Sequence, residues 1–271
     1  MSARYSATIH IMVKAAEKAG RALRRDFGEI EHLQVSQKGP GDFVTHADKR
    51  SEKILFEELQ ASRPDYGFLM EESDEIEGSD KSHRFIIDPL DGTLNFMHGI
   101  PHWAISIALE EDGEIIAGVI LDPIKDELFW AEKGAGAFSN SRRLRVSSRK
   151  DFTSAAISAG LPSHGWGKPK KFVNEYLPVA RMASSVTSMG SAALDLAYVA
   201  AGRYDAYWCP DLSPWDIAAG GLMVREAGGM ISDKKGNRDF MSADTIVAAN
   251  MGLHADFVKL LNTASQVKKT A

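Results

Sequence analysis

Two carboxylates stand three residues apart in a short turn that directly follows an apolar run. Asp88 ends the run, and Asp91 is followed by Gly92, which lets the backbone turn tightly close to a ligand. Carboxylates at this spacing can point into one space, where they repel each other unless a cation lies between them. Carboxylate oxygens, with a backbone carbonyl such as that of Leu90, are ligands that magnesium prefers. The turn is therefore a candidate magnesium site, and the N–H groups from Gly92 onward offer an anion-binding helix start beside it.

Each acidic position also has a simpler structural interpretation. The string that begins at Asp88 is typical of a surface turn, and the pair Glu71-Glu72 is typical of solvated charge. Asp216 and Asp48 stand at predicted loop-to-helix junctions, where capping residues are expected. The surface-turn interpretation does not explain why Glu71, like Asp88, directly follows a short apolar strand.

The apolar periodicity predicts the elements that must position these side chains. Helices are predicted at Ile9–Phe27, from Thr45 to the residue before Pro64, and at Ser191–Ala201, Asp216–Ala227 and Leu253–Leu261. Strands are predicted at Gly67–Met70, Arg84–Ile87, Asp205–Trp208 and Thr245–Ala249, with a meander from Trp103 to Ala131 and a loop from Gln37 to Asp42. Helices that interleave with strands around a central meander favour a layered α/β sandwich over an all-parallel sheet.

The length, charge and cysteine content of the chain limit its architecture and partners. A chain of 271 residues fits a single domain over 1–271, with possible lobes at 1–145 and 146–271. The formal net charge of −5 argues against a general attraction to nucleic acid or anionic membranes, so binding an anionic ester requires local positive charge. A cytoplasmic location is expected, because the sequence lacks a signal peptide and any apolar run near the ~20 residues of a membrane span, and Cys209 is its only cysteine.

Three strings of the sequence resemble the motifs of the inositol monophosphatase family. They are Leu69–Ser73, Asp88–Phe96 and Trp215–Gly220, and their order, residue types and spacing all match. Supporting stretches are 41–45 with Asp48, 190–193 and 226–229. The resemblance extends from Ile9 to Leu261, which is nearly the whole chain. The ordered set is far more specific than any single string.

The resemblance implies a layered α-β-α-β-α sandwich, a homodimer, and roughly two to three magnesium ions per active site, with lithium as an antagonist. By position in the motifs, the first metal is expected on Glu71, Asp88 and the carbonyl of Leu90. The second is expected on Asp88, Asp91 and Asp216, and a weaker third on Glu71 and water molecules.

The resemblance also assigns residues to catalysis and to the substrate. Asp48 and Thr93 are expected to orient and deprotonate the attacking water, and Glu71 is the third expected catalytic residue. Glu72 and Lys38 are expected to support the metal site. The residues expected to contact the substrate are Leu90, Asp91, Gly92, Thr93, Gly190, Ser191, Ala192, Cys209 and Asp216.

The expected reaction is the magnesium-dependent hydrolysis of a phosphate monoester, foremost myo-inositol monophosphate, by an activated water. One position departs from the family. Many inositol-specific members carry a glutamate seven residues before the aspartate of the Trp-Asp motif, where this chain has Cys209. A thiol is a poor hydrogen-bond partner for ring hydroxyls, and Asp211 is the nearest acidic substitute. Alternative substrates are therefore a sugar bisphosphate, a nucleotide 3′-phosphate and histidinol phosphate, and a different class is a regulatory binding protein on the same fold.

Overall fold

A computed structural model describes residues 5–29, 35–39, 42–161 and 169–266. The helices are α1 Ala7–Gly28, α2 His46–Ser62, α3 Thr93–Met97, α4 Pro169–Met182, α5 Ala192–Ala200, α6 Pro214–Glu226 and α7 His254–Gln266. The strands are β1 Val35–Gly39, β2 Asp42–Thr45, β3 Gly67–Met70, β4 His83–Asp91, β5 Ala104–Glu111, β6 Glu114–Asp122, β7 Glu127–Glu132, β8 Gly136–Ser139, β9 Arg142–Arg143, β10 Ala156–Ala159, β11 Ser185–Thr187, β12 Ala206–Pro210, β13 Gly229–Asp233 and β14 Thr245–Asn250. Within these ranges, no helix combines the length and the apolar character needed to cross a bilayer.

Two large sheets organise the chain. The first has seven strands in the order β3-β4-β5-β6-β7-β8-β9, in which β3 runs parallel to β4 and the other pairs are antiparallel. The second has five strands in the order β11-β10-β12-β14-β13. The short strands β1 and β2 form a separate antiparallel pair.

Helices lie on both faces of each large sheet and form five layers with them. Phe85 and Ile87 of β4 pack against α1 and α2, whereas Ile86 points to the opposite face, against α5 and α6. The same two helices also pack on the second sheet, whose other face places Trp208 against α4 and α7. A Cβ on Gly118 of β6 would lie 3.0 Å from the α6 backbone, so this glycine allows α6 to lie directly on the sheet. The arrangement confirms the predicted α-β-α-β-α sandwich.

Most long elements begin and end close to their predicted positions. α1 buries the predicted apolar stripe from Ile9 to Leu23. α2 begins directly after Thr45, its N-cap, and ends at Ser62, just before Pro64. The predicted hairpin turn follows β5, where Asp112 and Gly113 both adopt positive φ, as a two-residue turn with this sequence requires.

The sequence patterns missed the short elements of the second half. Strands β10, β11 and β13 have three to five residues, too few to show a clear alternation. Helix α4 contains Pro178, which obscures its periodicity. The loop predicted from Gln37 to Asp42 is wrong at both ends, because β1 continues to Gly39 and β2 begins at Asp42.

Candidate active site

Three carboxylates meet where the first sheet contacts the start of α6. Asp88 and Asp91 come from the end of β4, and Asp216 comes from the first turn of α6. One ligand oxygen from each residue lies within 4.8 Å of the others. Asp88 and Asp91 are buried, with relative exposures of 1% and 7%. Residues 128 positions apart in the chain thus form one acidic cluster, which we call the carboxylate cluster.

The turn after Asp88 is held by its own backbone and by a glycine. The Leu90 N–H donates to Asp88 Oδ1 at 2.9 Å, and the register of β4 on β5 shifts between Asp88 and Asp91. Gly92 has φ +94°, and a Cβ there would lie 3.2 Å from the carbonyl oxygens of Gly190 and His102. Both the left-handed backbone and the crowding favour glycine at this position. The turn therefore ends at Gly92, and α3 begins at Thr93.

The carboxylate of Asp91 accepts hydrogen bonds from the N-terminus of α5. Its partners are the Ser191 hydroxyl, the Ala193 N–H at 2.9 Å and the Ala192 N–H at 3.2 Å. Helix N-termini stabilise negative charge in this way. The segment from Gly190 to Ala192, predicted to contact the substrate, is thereby fixed to a predicted metal ligand.

Asp48 and Asp216 each cap a helix and face the site at the same time. Asp48 Oδ2 accepts from the Thr45 N–H at 2.9 Å, and Asp216 Oδ2 accepts from the Ser213 N–H at 2.7 Å. Both are therefore the third-position acid of a capping arrangement. The capping interpretation of these two residues is therefore correct, and because a carboxylate has two oxygens, it is compatible with their predicted roles in the site, which stay predictions.

The second oxygen of Asp48 reaches the turn that carries the carboxylate cluster. Thr93 Oγ1 lies 3.0 Å from Asp48 Oδ1 and 3.1 Å from the Leu90 carbonyl oxygen. The three residues predicted to act on water and on a metal are therefore linked in the structure by one hydroxyl group.

Glu71 directly follows the neighbouring strand β3 and lies beside Asp88. The parallel register of β3 on β4 ends with Met70 opposite Ile87, so Glu71 is placed next to Asp88. Its negative charge is one of the causes that raise the Asp88 pKa. Glu71 is outside the carboxylate cluster as defined above. Of the two residues predicted to support the metal site, Glu72 follows Glu71 directly, and Lys38 lies in β1, with its side chain outside the described part of the structure.

Burial and mutual repulsion make the carboxylate cluster retain protons. Burial raises the pKa of Asp88 well above its usual range, and the charges of Glu71, Asp91 and Asp216 raise it further. Burial raises the pKa of Asp91 to about 6, although the hydrogen bonds from Ser191 and the α5 amides act to lower it. Burial and the charge of Asp91 raise the pKa of Asp216 to about 7. The oxygen ligands and their repulsion fit a hard divalent cation, which would replace these protons on binding.

Three polar residues of the site carry no role in the sequence motifs. Ser51 and Glu52 of α2 are buried. Ser51 is hydrogen-bonded to Pro89, and Glu52 is hydrogen-bonded to residues 72 and 73. Asn95 of α3 donates to the carbonyl oxygens of His102 and Met189, both at 2.7 Å. The signal for Ser51 and Glu52 was present, because they occupy core-facing positions of α2 where apolar residues are expected.

Cys209 lies near the carboxylate cluster but is covered by backbone. Its relative exposure is 7%, and a Cβ on Gly160 would lie only 2.0 Å from its Sγ. Burial raises the pKa of the Cys209 thiol, and the charge of Asp216 raises it further. The thiol therefore stays protonated and is unsuited to act as a nucleophile. Asp211 is exposed and has a positive φ of 53°.

The model of the inositol monophosphatase family matches residues 5–266. The chain belongs to the inositol monophosphatase family. An inositol-1-monophosphatase of Mesorhizobium japonicum is 55% identical over 245 residues, 90% of this chain and 92% of that protein. The crystal structure of extragenic suppressor protein suhB from Bartonella henselae matches with a TM-score of 0.92 and 53% identity, covering 94% of this chain and 98% of that one. The Nus factor SuhB of Escherichia coli strain K12 is 41% identical over 246 residues, 89% of this chain and 91% of that protein. The family confirms the predicted class of enzyme, a phosphoric monoester hydrolase.

The raised pKa values lead to a prediction for the metal-free protein. Unfolded aspartates titrate near pH ~4, so the folded cluster binds more protons than the unfolded chain, and stability falls as pH rises through about 6 to 7. Asp88→Asn removes one charge and keeps an oxygen for the Leu90 N–H. We expect it to raise the melting temperature of the metal-free protein near pH ~8, because the repulsion among the remaining carboxylates is smaller; each 1 kcal/mol of relief would raise it by about 2–4 °C.

Differential scanning calorimetry in chelator checks this expectation. The gain should shrink near pH ~5, where the wild-type cluster is already protonated. The exposed Asp74 provides the control Asp74→Asn, which should change little at either pH. An Asp88→Asn protein that is less stable than wild type near pH ~8 would contradict the repulsion described above.

Proposed function

We propose that the protein is a magnesium-dependent phosphatase that hydrolyses a small phosphate monoester, foremost myo-inositol monophosphate to inositol and phosphate. The observation that carries the proposal is the carboxylate cluster, in which Asp88 and Asp91 are buried, beside the Asp48–Thr93 pair. Membership of the inositol monophosphatase family and the inositol-1-monophosphatase relative support the choice of substrate.

The proposed metal ligands are Glu71, Asp88, the Leu90 carbonyl, Asp91 and Asp216, for roughly two to three ions. When bound, magnesium neutralises the phosphate oxygens, lowers the pKa of a water molecule and stabilises the leaving alkoxide. The protein's own contribution is to hold these oxygens in a fixed, water-poor arrangement. The capping of Asp216 and the α5 contacts of Asp91 serve this purpose, because they fix one carboxylate oxygen of Asp216 and hold Asp91 through several donors.

Asp48 and Thr93 are proposed to orient and deprotonate the attacking water. Burial raises the pKa of Asp48, against hydrogen bonds from Thr45 and Thr93. A carboxylate with a raised pKa is a stronger base and accepts a proton more readily near neutral pH. The Thr93 hydroxyl lies within hydrogen-bond distance of Asp48 Oδ1, so it can receive a proton from water as it passes its own to Asp48.

The substrate is proposed to lie between the start of α3 and the start of α5. The Gly92 and Thr93 N–H groups would meet the phosphate, and residues 190–192 would meet the alcohol portion. Asn95 joins these two regions, because its amide donates to the carbonyl oxygen of Met189, next to Gly190. Glu72 is proposed to act in support of the metal ligands rather than as one of them.

The alternatives have different degrees of support. Sugar bisphosphates, nucleotide 3′-phosphates and histidinol phosphate remain candidate substrates, since Cys209 stands where many inositol-specific members carry a ring-binding glutamate. The alternative of a regulatory binding protein is supported by the similarity to a protein named Nus factor SuhB. The complete set of acidic residues, Glu71, Asp88, Asp91 and Asp216, favours catalysis over a purely regulatory role. A cytoplasmic location and antagonism by lithium belong to the same proposal, and cell fractionation and lithium titration of the activity test them.

The direct test is release of phosphate from a panel of esters with and without magnesium. We expect turnover of inositol 1-phosphate that requires magnesium, and a loss of at least about 100-fold in kcat for Asp88→Asn, because charge stabilisation is lost in the transition state. Asp74→Asn should retain wild-type activity. Near wild-type rates for Asp88→Asn at saturating magnesium would refute the proposed site.

We further propose that the protein is a homodimer. Exposed apolar side chains support this, since such groups often mark interaction surfaces. Leu94, Ile100 and Met189 lie beside the site with exposures of 53%, 46% and 42%, and Val173 and Leu177 of α4 are each 49% exposed. Light scattering should give about 59 kDa, twice the 29.6 kDa of the chain, and a mass of one chain at micromolar concentration would contradict the proposal.

Substrate selectivity is expected to be weak because of Cys209. Charge-assisted hydrogen bonds from a carboxylate to hydroxyls contribute about 1.5–3 kcal/mol, or roughly a ten- to hundredfold effect. The wild-type protein should therefore accept inositol 1-phosphate and glycerol 2-phosphate with similar kcat/KM. Cys209→Glu should raise the preference for inositol 1-phosphate by roughly 10–100-fold, if the Gly160 backbone moves to admit the longer side chain.

Cys209→Gln is the matched control, because it has the same length without the charge and should raise the preference less. Melting temperatures of both variants show whether the Gly160 contact has been disrupted. A wild-type preference of about a thousandfold for one inositol phosphate would exceed what the missing carboxylate allows. That result would point to another recognition residue, with Asp211 the first to test.

A further inference from the structure

One buried face of α2 is polar, although buried helix faces are normally apolar. Asp48, Ser51 and Glu52 follow the i, i+3, i+4 spacing of a single helix face, and their relative exposures are 0%, 1% and 4%. Burying charged or polar groups is unfavourable unless they are hydrogen-bonded. Each of the three residues is bonded to a different segment of the active site.

Each of the three residues contacts a different segment of the site. Asp48 binds the Thr93 hydroxyl at the start of α3. Ser51 donates to the Pro89 carbonyl at 2.8 Å, inside the turn that carries Asp88 and Asp91. Glu52 accepts from the backbone N–H of residue 72 at 2.8 Å and from the hydroxyl of residue 73 at 2.5 Å. The helix therefore holds all the site segments that come from the first sheet.

The segment after β3 depends on Glu52 because the sheet no longer supports it. Ladder pairing between β3 and β4 ends at Met70, one residue before Glu71. After Glu71, the Glu72 N–H donates to one carboxylate oxygen of Glu52, and the Ser73 hydroxyl donates to the other. Glu71 is thus fixed by the sheet on one side and by Glu52 on the other.

We propose that Glu52 is a positioning residue that fixes Glu71 against Asp88 and thereby sets the affinity of the site for divalent cations. This inference rests on the proposed function, in which Glu71 is a metal ligand. Glu52 does not belong to the carboxylate cluster, and its two oxygens are bonded to Glu72 and Ser73. Residues that orient metal ligands typically affect metal affinity by about 10–100-fold when they are replaced.

The test separates positioning from simple charge. Glu52→Asp keeps the charge and shortens the reach, whereas Glu52→Gln keeps the length and replaces one acceptor by a donor. Mn²⁺, which also takes oxygen ligands, is titrated into metal-free protein without substrate, and free Mn²⁺ is measured by electron paramagnetic resonance. We expect both variants to bind Mn²⁺ about 10–100-fold more weakly and to need correspondingly more magnesium for half-maximal activity, with kcat at saturation largely retained.

Two further variants keep the result interpretable. Ser73→Ala removes one of the two hydrogen bonds from an exposed position, so it leaves the core and the charge intact and should weaken Mn²⁺ binding to a smaller extent. It also reports on positioning if the Glu52 variants fail to fold. Glu57→Gln, an exposed charge change on the same helix, should leave Mn²⁺ affinity unchanged.

Each remaining outcome has a distinct meaning. If Glu52→Asp binds Mn²⁺ with wild-type affinity and Glu52→Gln binds it more weakly, the charge of Glu52 and not its positioning of Glu71 sets the affinity. That result would overturn the inference. Loss of one bound ion from the stoichiometry in both Glu52 variants, with unchanged Mn²⁺ binding in Ser73→Ala, would overturn it by making Glu52 a ligand. Wild-type affinity in every variant would overturn the inference while leaving the proposed phosphatase intact. A wild-type protein that binds no Mn²⁺ and shows no turnover would overturn the proposed function, and the inference with it.

Discussion

The repulsion among buried carboxylates is the constraint on which the rest of the site depends. Asp88, Asp91 and Asp216 are brought within 4.8 Å of one another by elements from separate parts of the chain, and burial strengthens their repulsion. A fold that keeps such a cluster must hold each carboxylate in place independently. The Leu90 N–H holds Asp88, the start of α5 holds Asp91, and the capping bond at Ser213 holds Asp216.

The interactions that form the helices also orient the site. The Thr45–Asp48 pair starts α2 and leaves Asp48 Oδ1 to meet Thr93. In the same way, Asp216 completes the first turn of α6 and contributes an oxygen to the carboxylate cluster. A change at either helix start therefore alters both local stability and the position of a functional oxygen, so the two effects must be measured separately.

Local patterns predicted the parts of the structure that depend on neighbouring residues in the chain. The apolar runs before Glu71 and Asp88 predicted strands ending at acidic residues, and the motif resemblance named Asp216 as their partner. The structure brings Asp88, Asp91 and Asp216 together, and the roles of the individual site residues stay predictions. The periodicity of α2 places Ser51 and Glu52 on its core-facing side, but it does not identify the partners of these two residues or of Asn95, which lie up to 94 positions away and are brought together only by the folded chain. The short strands β10 and β11 were missed for a related reason, since parallel pairing depends on residues distant in sequence.

We propose that the carboxylate cluster holds protons and that a divalent cation displaces them when it binds. Isothermal titration of magnesium into the metal-free protein, repeated in buffers of different ionisation enthalpy, counts the protons released on binding. Because the pKa values of Asp91 and Asp216 lie near 6 and 7, binding near pH ~6.5 should release protons, and fewer should be released near pH ~8.5, where these two groups are already ionised. Magnesium binding that releases no protons near pH ~6.5, or no magnesium binding at all, would contradict the claim.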